Sequence, residues 1–397
     1  MATRADAGRT DILGAYREDV NRRRGEPFGD CDSKWIEFGV LLAHAAMVHA
    51  VDRTRCVTAA RAIAREILDG EVWDAGYRLD PHPPFDDMTL EGRVRSIAEA
   101  VEDAGALALS DAILCAFVHA FPESSPLELG RIEAVRARLA WKGGDREVAA
   151  ERYQRTAAEA ARIGSDELRV RALIGRALLA RLAGNYPQSR ESARQALIIA
   201  EREGMHRLAA SAHHTLFVAD AVAGAFGTAI VHGWQAFALA TGDAVLEAEV
   251  LGNLGQLFVD LGHPSTAAAA FRAVVKRRPA QRILLPALGG LAMCCGYLQD
   301  LETLAATESA ILRYAEESRS RYEVASALLE LATASLLAGK DTADRYRAQA
   351  LEIAAASGFH ELVYRAETAT QEAQRECHEL SPSALNIAHA VRELESV

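Results

Sequence analysis

The stretch LGQLFVDLGHPSTAAAAF, residues 254–271, determines the fold class of this chain. Before Gly262, apolar residues such as Leu254, Phe258 and Leu261 recur at three- and four-residue spacing, the period of a helix with one buried face. After Gly262 comes an alanine-rich segment, and alanine has the highest helix propensity. Glycine suits the break because it readily adopts the left-handed conformation that closes a helix C-terminus. The stretch therefore predicts two helices joined by a short turn.

Glycines mark the same kind of break along much of the chain. They form two series, the first being Gly144, Gly184, Gly224, Gly262 and Gly339, and the second Gly164, Gly204, Gly242 and Gly358. Within each series, neighbours lie roughly 40 residues apart or a multiple of that, and the two series are offset by about 20 residues. Gln299 occupies the missing place in the first series, and Arg278 and Ser318 occupy the missing places in the second. The spacing predicts a helix, a break, a second helix and a break, repeated along the chain.

The quoted stretch also carries a known repeat signature. Six residues match it: Leu254, Gly255, Phe258, Gly262, Ala267 and Phe271. They resemble the tetratricopeptide-repeat proteins, and Val274 is the one departure. The period of roughly 40 residues exceeds the usual 34 or so, and is similar to that in the sensor halves of bacterial maltose-activator-like regulators and peptide-sensing regulators. The resemblance covers roughly residues 125–358 and implies an all-α, right-handed α–α superhelix, a TPR-like solenoid.

The resemblance suggests three regions along the chain. They are a helical N-terminal region at 1–124, six TPR-like helix pairs at 125–358, and C-terminal capping helices at 359–397. The N-terminal region reads as apolar-periodic helices at 33–51 and 53–68 and a proline-containing loop at 73–87. These elements fit either degenerate repeats or a separate cap.

Composition excludes several classes of function. The formal net charge of −11 argues against general nucleic-acid binding, which needs a concentrated basic face. No apolar run approaches the ~20 residues that span a bilayer, and the N-terminus has no apolar stretch of the signal-peptide kind. The cysteines are scattered, as is typical of reduced thiols. We therefore expect a cytoplasmic protein that binds neither nucleic acid nor membranes, and the oligomeric state stays open.

Motifs for catalysis are missing from the sequence. It contains no phosphate loop, no Gly-x-Ser-x-Gly elbow and no His-Glu-x-x-His pair. His82, Asp86 and Asp87 share one loop and are the residues that a metal-dependent enzyme would use, although a polar connector is the favoured explanation because such groups are common in one loop. We expect no enzymatic activity, no cofactor and no metal site.

The repeat register indicates where a partner would bind, because the first helices of tetratricopeptide pairs line a concave groove. The positions that correspond to groove residues of that family are Arg131, Arg138, Trp141, Arg171, Ile174, Leu178, Arg181, His214, Glu249, Asn253, Gln256, Met293 and Tyr297. Four arginines on one strip of an acidic protein would attract a carboxylate or an acidic peptide, unless they form only a solvated face. Asn253 stands where such proteins often hold a peptide backbone through a side-chain amide.

These observations predict a non-catalytic TPR scaffold that binds a protein or peptide segment, acidic or with a free carboxylate, in its groove. One alternative is a ligand- or peptide-responsive sensor of a bacterial regulatory system, and a second is a metal-dependent enzyme that uses the N-terminal loop. On the sequence alone, Arg138→Glu combined with Arg171→Glu is expected to abolish partner capture without lowering the melting temperature.

Overall fold

The computed structural model describes residues 107–317, 321–368 and 377–394, together with Val94, Arg95, Ala98, Glu99 and Glu102. In this part of the chain the regular structure is α-helical and no strand occurs. The predicted helices at 33–51 and 53–68, and the loop with His82, Asp86 and Asp87, lie outside it. Residue contacts divide the chain into two compact units, whose main boundary falls between Ala149 and Ala150. We call them unit one and unit two.

Within residues 107–317, 321–368 and 377–394, fifteen helices follow one another in chain order. They are α1 (Leu107–Ala120), α2 (Pro126–Lys142), α3 (Arg146–Ile163), α4 (Asp166–Leu182), α5 (Tyr186–Arg202), α6 (His206–Val222), α7 (Phe226–Leu239), α8 (Ala244–Asp260), α9 (Pro264–Lys276), α10 (Gln281–Leu298), α11 (Leu301–Glu317), α12 (Arg321–Leu337), α13 (Ala343–Ser357), α14 (His360–Thr368) and α15 (Pro382–Glu393). The all-α fold class and the alternation of helix and break are as the glycine spacing predicts. The division of the chain at residues 124 and 358 stays a prediction.

The breaks between helices are left-handed even where glycine is absent. All nine glycines of the two series have positive φ, for example Gly184 at 74° and Gly262 at 78°. Arg278 and Gln299 stand at missing places in the series and take the same conformation, with φ of 48° and 57°. A left-handed non-glycine residue costs roughly 1–2 kcal/mol. The repeat geometry therefore imposes the turn on these two residues, while Ser318 lies outside the described residues.

Within unit two, the helix pairs stack in sequence order. The first helix of each pair contacts the first helix of the next, so that α4, α6, α8, α10 and α12 form one continuous layer. The second helices, such as α5, α7 and α9, each contact both the first helix of their own pair and that of the next. Each pair thus buries its apolar face against its neighbour, as repeat proteins require.

Aromatic side chains of the second helices lie against glycines of the first helices. Phe271 on α9 is 2% exposed, and its ring contacts both Gly255 on α8 and Gly290 on α10. Tyr153 on α3 lies against Gly175 on α4 in the same way. A glycine at these points leaves room for a ring between two helices, which explains the Leu-Gly signature found in the sequence.

One described helix, α10, is long and apolar enough to span a membrane by length and composition. It is also a core helix, because 72% of that window is buried inside the fold. Its close approach to α12 depends on Gly296, where an added Cβ would lie 2.9 Å from the backbone of Ala334. Burial between neighbouring pairs therefore accounts for its apolar composition.

The two C-terminal helices occupy different places. Helix α14 follows the array and contacts α12 and α13. Helix α15 contacts α7 and α9, which belong to pairs much earlier in the chain. The Ser381-Pro382 start predicted from the sequence is present, since Ser381 is the N-cap and its hydroxyl accepts from the Ala384 N–H at 3.4 Å.

Candidate functional site

The candidate site lies on the layer of first helices in unit two, which we call the groove face. Side chains of α4, α6, α8 and α10 meet there because each helix contacts the next. The described part of unit one carries three further predicted groove residues, Arg131, Arg138 and Trp141, all on α2.

In unit one, the predicted arginines form ion pairs with acidic residues. Arg131 pairs with Glu128 one turn earlier, and Arg138 Nη2 lies 2.7 Å from Oε2 of Glu102. Glu102 is 3% exposed and also accepts from Lys142 Nζ at 2.6 Å. Burial alone would raise the pKa of Glu102, but the charges of Arg138 and Lys142 outweigh it and lower this pKa. Arg138 therefore neutralises a buried carboxylate.

The two predicted arginines of α4 differ from each other. Arg171 pairs with Glu167 one turn earlier at 2.9 Å. Arg181 is half-buried, its Nε has no hydrogen-bond partner, and no carboxylate within the described residues pairs with it. Burial lowers the pKa of Arg181, and no acidic residue is among the groups that act on this pKa. Arg181 thus has an anion-binding group without an anion.

His214 on α6 is influenced by Arg181 on α4, whose charge is one of the causes that lower the pKa of His214. Burial is the larger cause of that lowering, and Glu249 acts in the opposite direction. Nε2 of His214 is 2.7 Å from Nδ2 of Asn253 on α8, so the amide N–H donates to the neutral imidazole. Glu249 accepts from Arg282 on α10 at 2.6 Å.

These five residues form what we call the groove cluster: Arg181, His214, Glu249, Asn253 and Arg282. They come from four consecutive first helices. Arg282 was not singled out in the sequence, because its pairing with Glu249 depends on how α10 packs on α8. Other ion pairs also join successive helix pairs, such as Arg207 with Asp243, but at different spacings along the sequence.

The remaining predicted groove residues lie outside the groove cluster. Gln256 is half-buried and donates to Asp260 on its own helix at 3.1 Å. Met293 is 6% exposed and is a core residue of α10, while Tyr297 is half-buried against the core. Met293 lies in the core because α12 packs closely on α10, where glycines of α10 leave room for it.

Two further histidines contact each other within the α6–α7 helix pair, and one of them is the sequence neighbour of His214. His213 on α6 is 7% exposed, and its Nδ1 is 2.9 Å from Nδ1 of His232 on α7. One ring nitrogen must donate and the other accept, so at least the accepting ring must be neutral. Burial first, and then the charge of His232, lower the pKa of His213 to about 4. Burial also lowers the pKa of His232, although Asp220 opposes this.

This histidine contact predicts that the fold loses stability in mild acid. An unfolded histidine has a pKa near 6.5, so between about pH 6.5 and pH 4 the unfolded chain binds more protons than the folded one. The free energy of unfolding should therefore fall over this range, by on the order of 3 kcal/mol for His213. Urea titrations at pH 7, 5.5 and 4.5 measure the loss.

The matched variants are His213→Leu and His206→Gln. His213→Leu should make the free energy of unfolding depend less on pH. His206→Gln should leave that dependence unchanged, because His206 is exposed on the same helix. Glu201 of α5 lies 3.8 Å from Nε2 of His213 and partly favours its charged form. An unchanged acid profile in His213→Leu would show that other groups cause the loss.

Three solved structures are similar to this chain. The Signal Transduction ATPase with Numerous Domains (STAND) protein with a tetratricopeptide repeat sensor, from Pyrococcus horikoshii, has a TM-score of 0.50 and 14% identity, over 81% of this chain and 46% of that one. The Rap protein complexed with Competence and Sporulation Factor has a TM-score of 0.49 and 14% identity, over 92% of this chain and 99% of that one. NprR in complex with its cognate peptide NprX has a TM-score of 0.47 and 16% identity, over 94% of this chain and 100% of that one.

The first of these structures supports the TPR-like solenoid fold. This chain spans less than half the length of that STAND protein, and at 14% identity the likeness concerns the fold alone. No protein-family model matches the sequence, and a search of the curated proteins finds no match. Function therefore has to be argued from the groove cluster itself.

Proposed function

We propose that the groove face of unit two binds a peptide or protein segment and that Arg181 holds a carboxylate of this partner. The observation that carries the proposal is the half-buried guanidinium of Arg181, for which the described residues supply no carboxylate. A charge that is removed from water without a partner destabilises the free protein. A bound carboxylate would offset that cost through two parallel N–H···O bonds.

The neighbours of Arg181 can hold the peptide backbone. Asn253 is exposed on the groove face, and its amide can donate to a carbonyl and accept from an N–H of an extended segment. His214 is partly exposed and contacts Asn253. The cluster thus offers an anion receptor and backbone hydrogen-bonding groups on adjacent helices, as expected of a binding module rather than an enzyme.

A second candidate function, a ligand-responsive sensor, is favoured by the His214–Asn253 contact. This hydrogen bond joins α6 to α8 and hence one helix pair to the next. A peptide that engages Asn253 would compete with it and alter the spacing of the two pairs. Small-angle scattering with and without a captured peptide distinguishes the functions, because a sensor should change its radius of gyration and a static scaffold should not.

Substitution of Arg181 should abolish capture of carboxylate peptides. The probes are two immobilised random decapeptide pools that differ only in a free or an amidated C-terminus. We expect the protein to be retained by the free-acid pool, and Arg181→Gln to weaken retention at least tenfold or so, the loss of one charge-assisted pair. The melting temperature should not fall, because the substitution removes an unpaired buried charge.

The matched control is Arg176→Gln on the same helix. Arg176 is exposed and its Nε donates to Ser192 on α5 at 3.0 Å, so this variant should bind like the wild type. Equal retention by the free-acid and amidated pools would indicate that the carboxylate bound by the protein belongs to an Asp or Glu side chain and not to the peptide C-terminus. Retention that is unaffected by Arg181→Gln would refute the proposed site.

A further inference from the structure

The C-terminal segment binds on the side of the array formed by the second helices. Helix α15 contacts α7 and α9, which are the second helices of two successive pairs. The backbone just before α15 is held as well, because the His378 N–H donates to the Leu261 carbonyl at 2.9 Å. Nε2 of His263 donates to the His378 carbonyl at 2.8 Å.

The contact face of α15 has small residues at its centre. Ala384, Ala388 and Val391 are 0%, 2% and 0% exposed and follow the i, i+4, i+7 spacing of one helix face, and the larger Ile387 and Leu394 pack beside them against the core. Leu385 lies outside this face and is 53% exposed. Arg392 donates to Thr266 on α9 at 3.3 Å. The α7–α9 surface therefore accepts a short amphipathic helix whose closest contacts are small side chains.

The same junction between pairs carries the groove cluster on its other side. Helix α15 spans α7 and α9, while the His214–Asn253 hydrogen bond spans α6 and α8. Each pair is packed internally, since Phe271 of α9 fills the space beside Gly255 of α8, and Phe217 of α6 lies 3.3 Å from a Cβ position on Gly233 of α7. The two pairs also pack on each other, because Leu254 of α8 lies 2.7 Å from the same Cβ position. Two rigid pairs that change their separation on one side must change it on the other.

We propose that the α7–α9 surface is a helix-docking site, occupied by α15 of the same chain, and that α15 acts as a releasable strap that sets the spacing of α6 and α8. Docking of α15 does not depend on the proposed function, whereas an effect of α15 on peptide binding in the groove rests on that function. The chemistry of the site selects the occupant. A helix with a bulkier residue or a charge at the position of Ala388 should dock poorly, because Ala388 is 2% exposed in the contact.

The test releases α15 within the full-length chain and then supplies the segment in trans. Ala388→Asp places a charge in the contact, and Leu385→Asp is the matched control on the exposed side of the same helix. We expect Ala388→Asp to accelerate hydrogen exchange in α7, α9, α6 and α8 by roughly tenfold or more. A synthetic peptide of residues 377–394 should bind to this variant, restore slow exchange, and fail to bind to the wild type.

Two outcomes of the peptide-binding and hydrogen-exchange experiments would overturn the strap. One is an Ala388→Asp chain that keeps its helical circular dichroism but does not bind the 377–394 peptide. The other is a Leu385→Asp chain that exchanges as fast as Ala388→Asp. A dimer of the wild type that dissociates on Ala388→Asp would also refute docking within one chain, since α15 would then occupy a second copy.

A cross-link keeps the test decisive if Ala388→Asp does not fold. An added Cβ at Gly227 lies 3.6 Å from Oγ of Ser381, so Gly227→Cys with Ser381→Cys, in a Cys377→Ser background, should form a disulfide in the native protein. Oxidation should slow exchange in α6 and α8, and absence of the cross-link in a folded protein would contradict the docking. No groove ligand is used, so failure here is distinct from failure of peptide capture.

Discussion

Gly290→Leu should lower the free energy of unfolding by about 3 kcal/mol or more. The ring of Phe271 already occupies the space that a Cβ at this position would need. The ring cannot move away, because it is also confined by Gly255, where an added Cβ would lie 2.9 Å from its Cε1. A leucine would therefore force α10 away from α9 and α8, and urea denaturation followed by circular dichroism measures the loss.

Gly252→Leu is the matched control for this prediction. Gly252 lies in the middle of α8, and an added Cβ there meets no atom within 4 Å. The same chemical change should be neutral or stabilising by up to ~1 kcal/mol, because leucine has the higher helix propensity. Adding Phe271→Ala to Gly290→Leu should recover part of the loss, as expected of two groups in contact. Strictly additive effects would show that ring overlap is not the cause.

Arg138→Glu should destabilise unit one by about 3–5 kcal/mol, the usual cost of breaking a buried ion pair. The substitution removes one of the two cations that pair with Glu102, which is 3% exposed, and places a second carboxylate beside it, while Lys142 remains as the other cation. This prediction differs from the one made from the sequence alone, in which Arg138→Glu with Arg171→Glu leaves the melting temperature unchanged. Thermal unfolding of the two single variants separates their contributions.

Two comparisons make this prediction specific. Arg171→Glu should change stability by only about 0.5–1 kcal/mol, because the Arg171–Glu167 pair is partly exposed and lies within one helix. Combining Arg138→Gln with Glu102→Gln should be milder than Arg138→Glu, because both buried charges are then removed. Equal melting temperatures for Arg138→Glu and the wild type would mean that Glu102 is solvated in solution.

The sequence determined those features of the molecule that repeat. The spacing of glycines was enough to predict the helix pairs, and it also located the left-handed turns at Arg278 and Gln299, where no glycine occurs. The register of the Leu-Gly pair correctly assigned Gly255 and Phe271 to the contact between two helices. These features are predictable because each pair packs against its neighbours in the chain, so the same local contacts recur and leave a period in the sequence.

The tertiary structure alone decided the features that occur once. The sequence placed Arg131, Arg138, Arg171 and Arg181 together as potential binding groups, but only the fold shows which of them already has an acidic partner. The distinction depends on side chains about one repeat apart, as with Arg138 and Glu102, 36 residues away. The docking of α15 depends on a longer separation still, 115 residues between His263 and His378. Contacts of this kind are set by which surfaces the stacked helices bring together, and no repeated pattern encodes them.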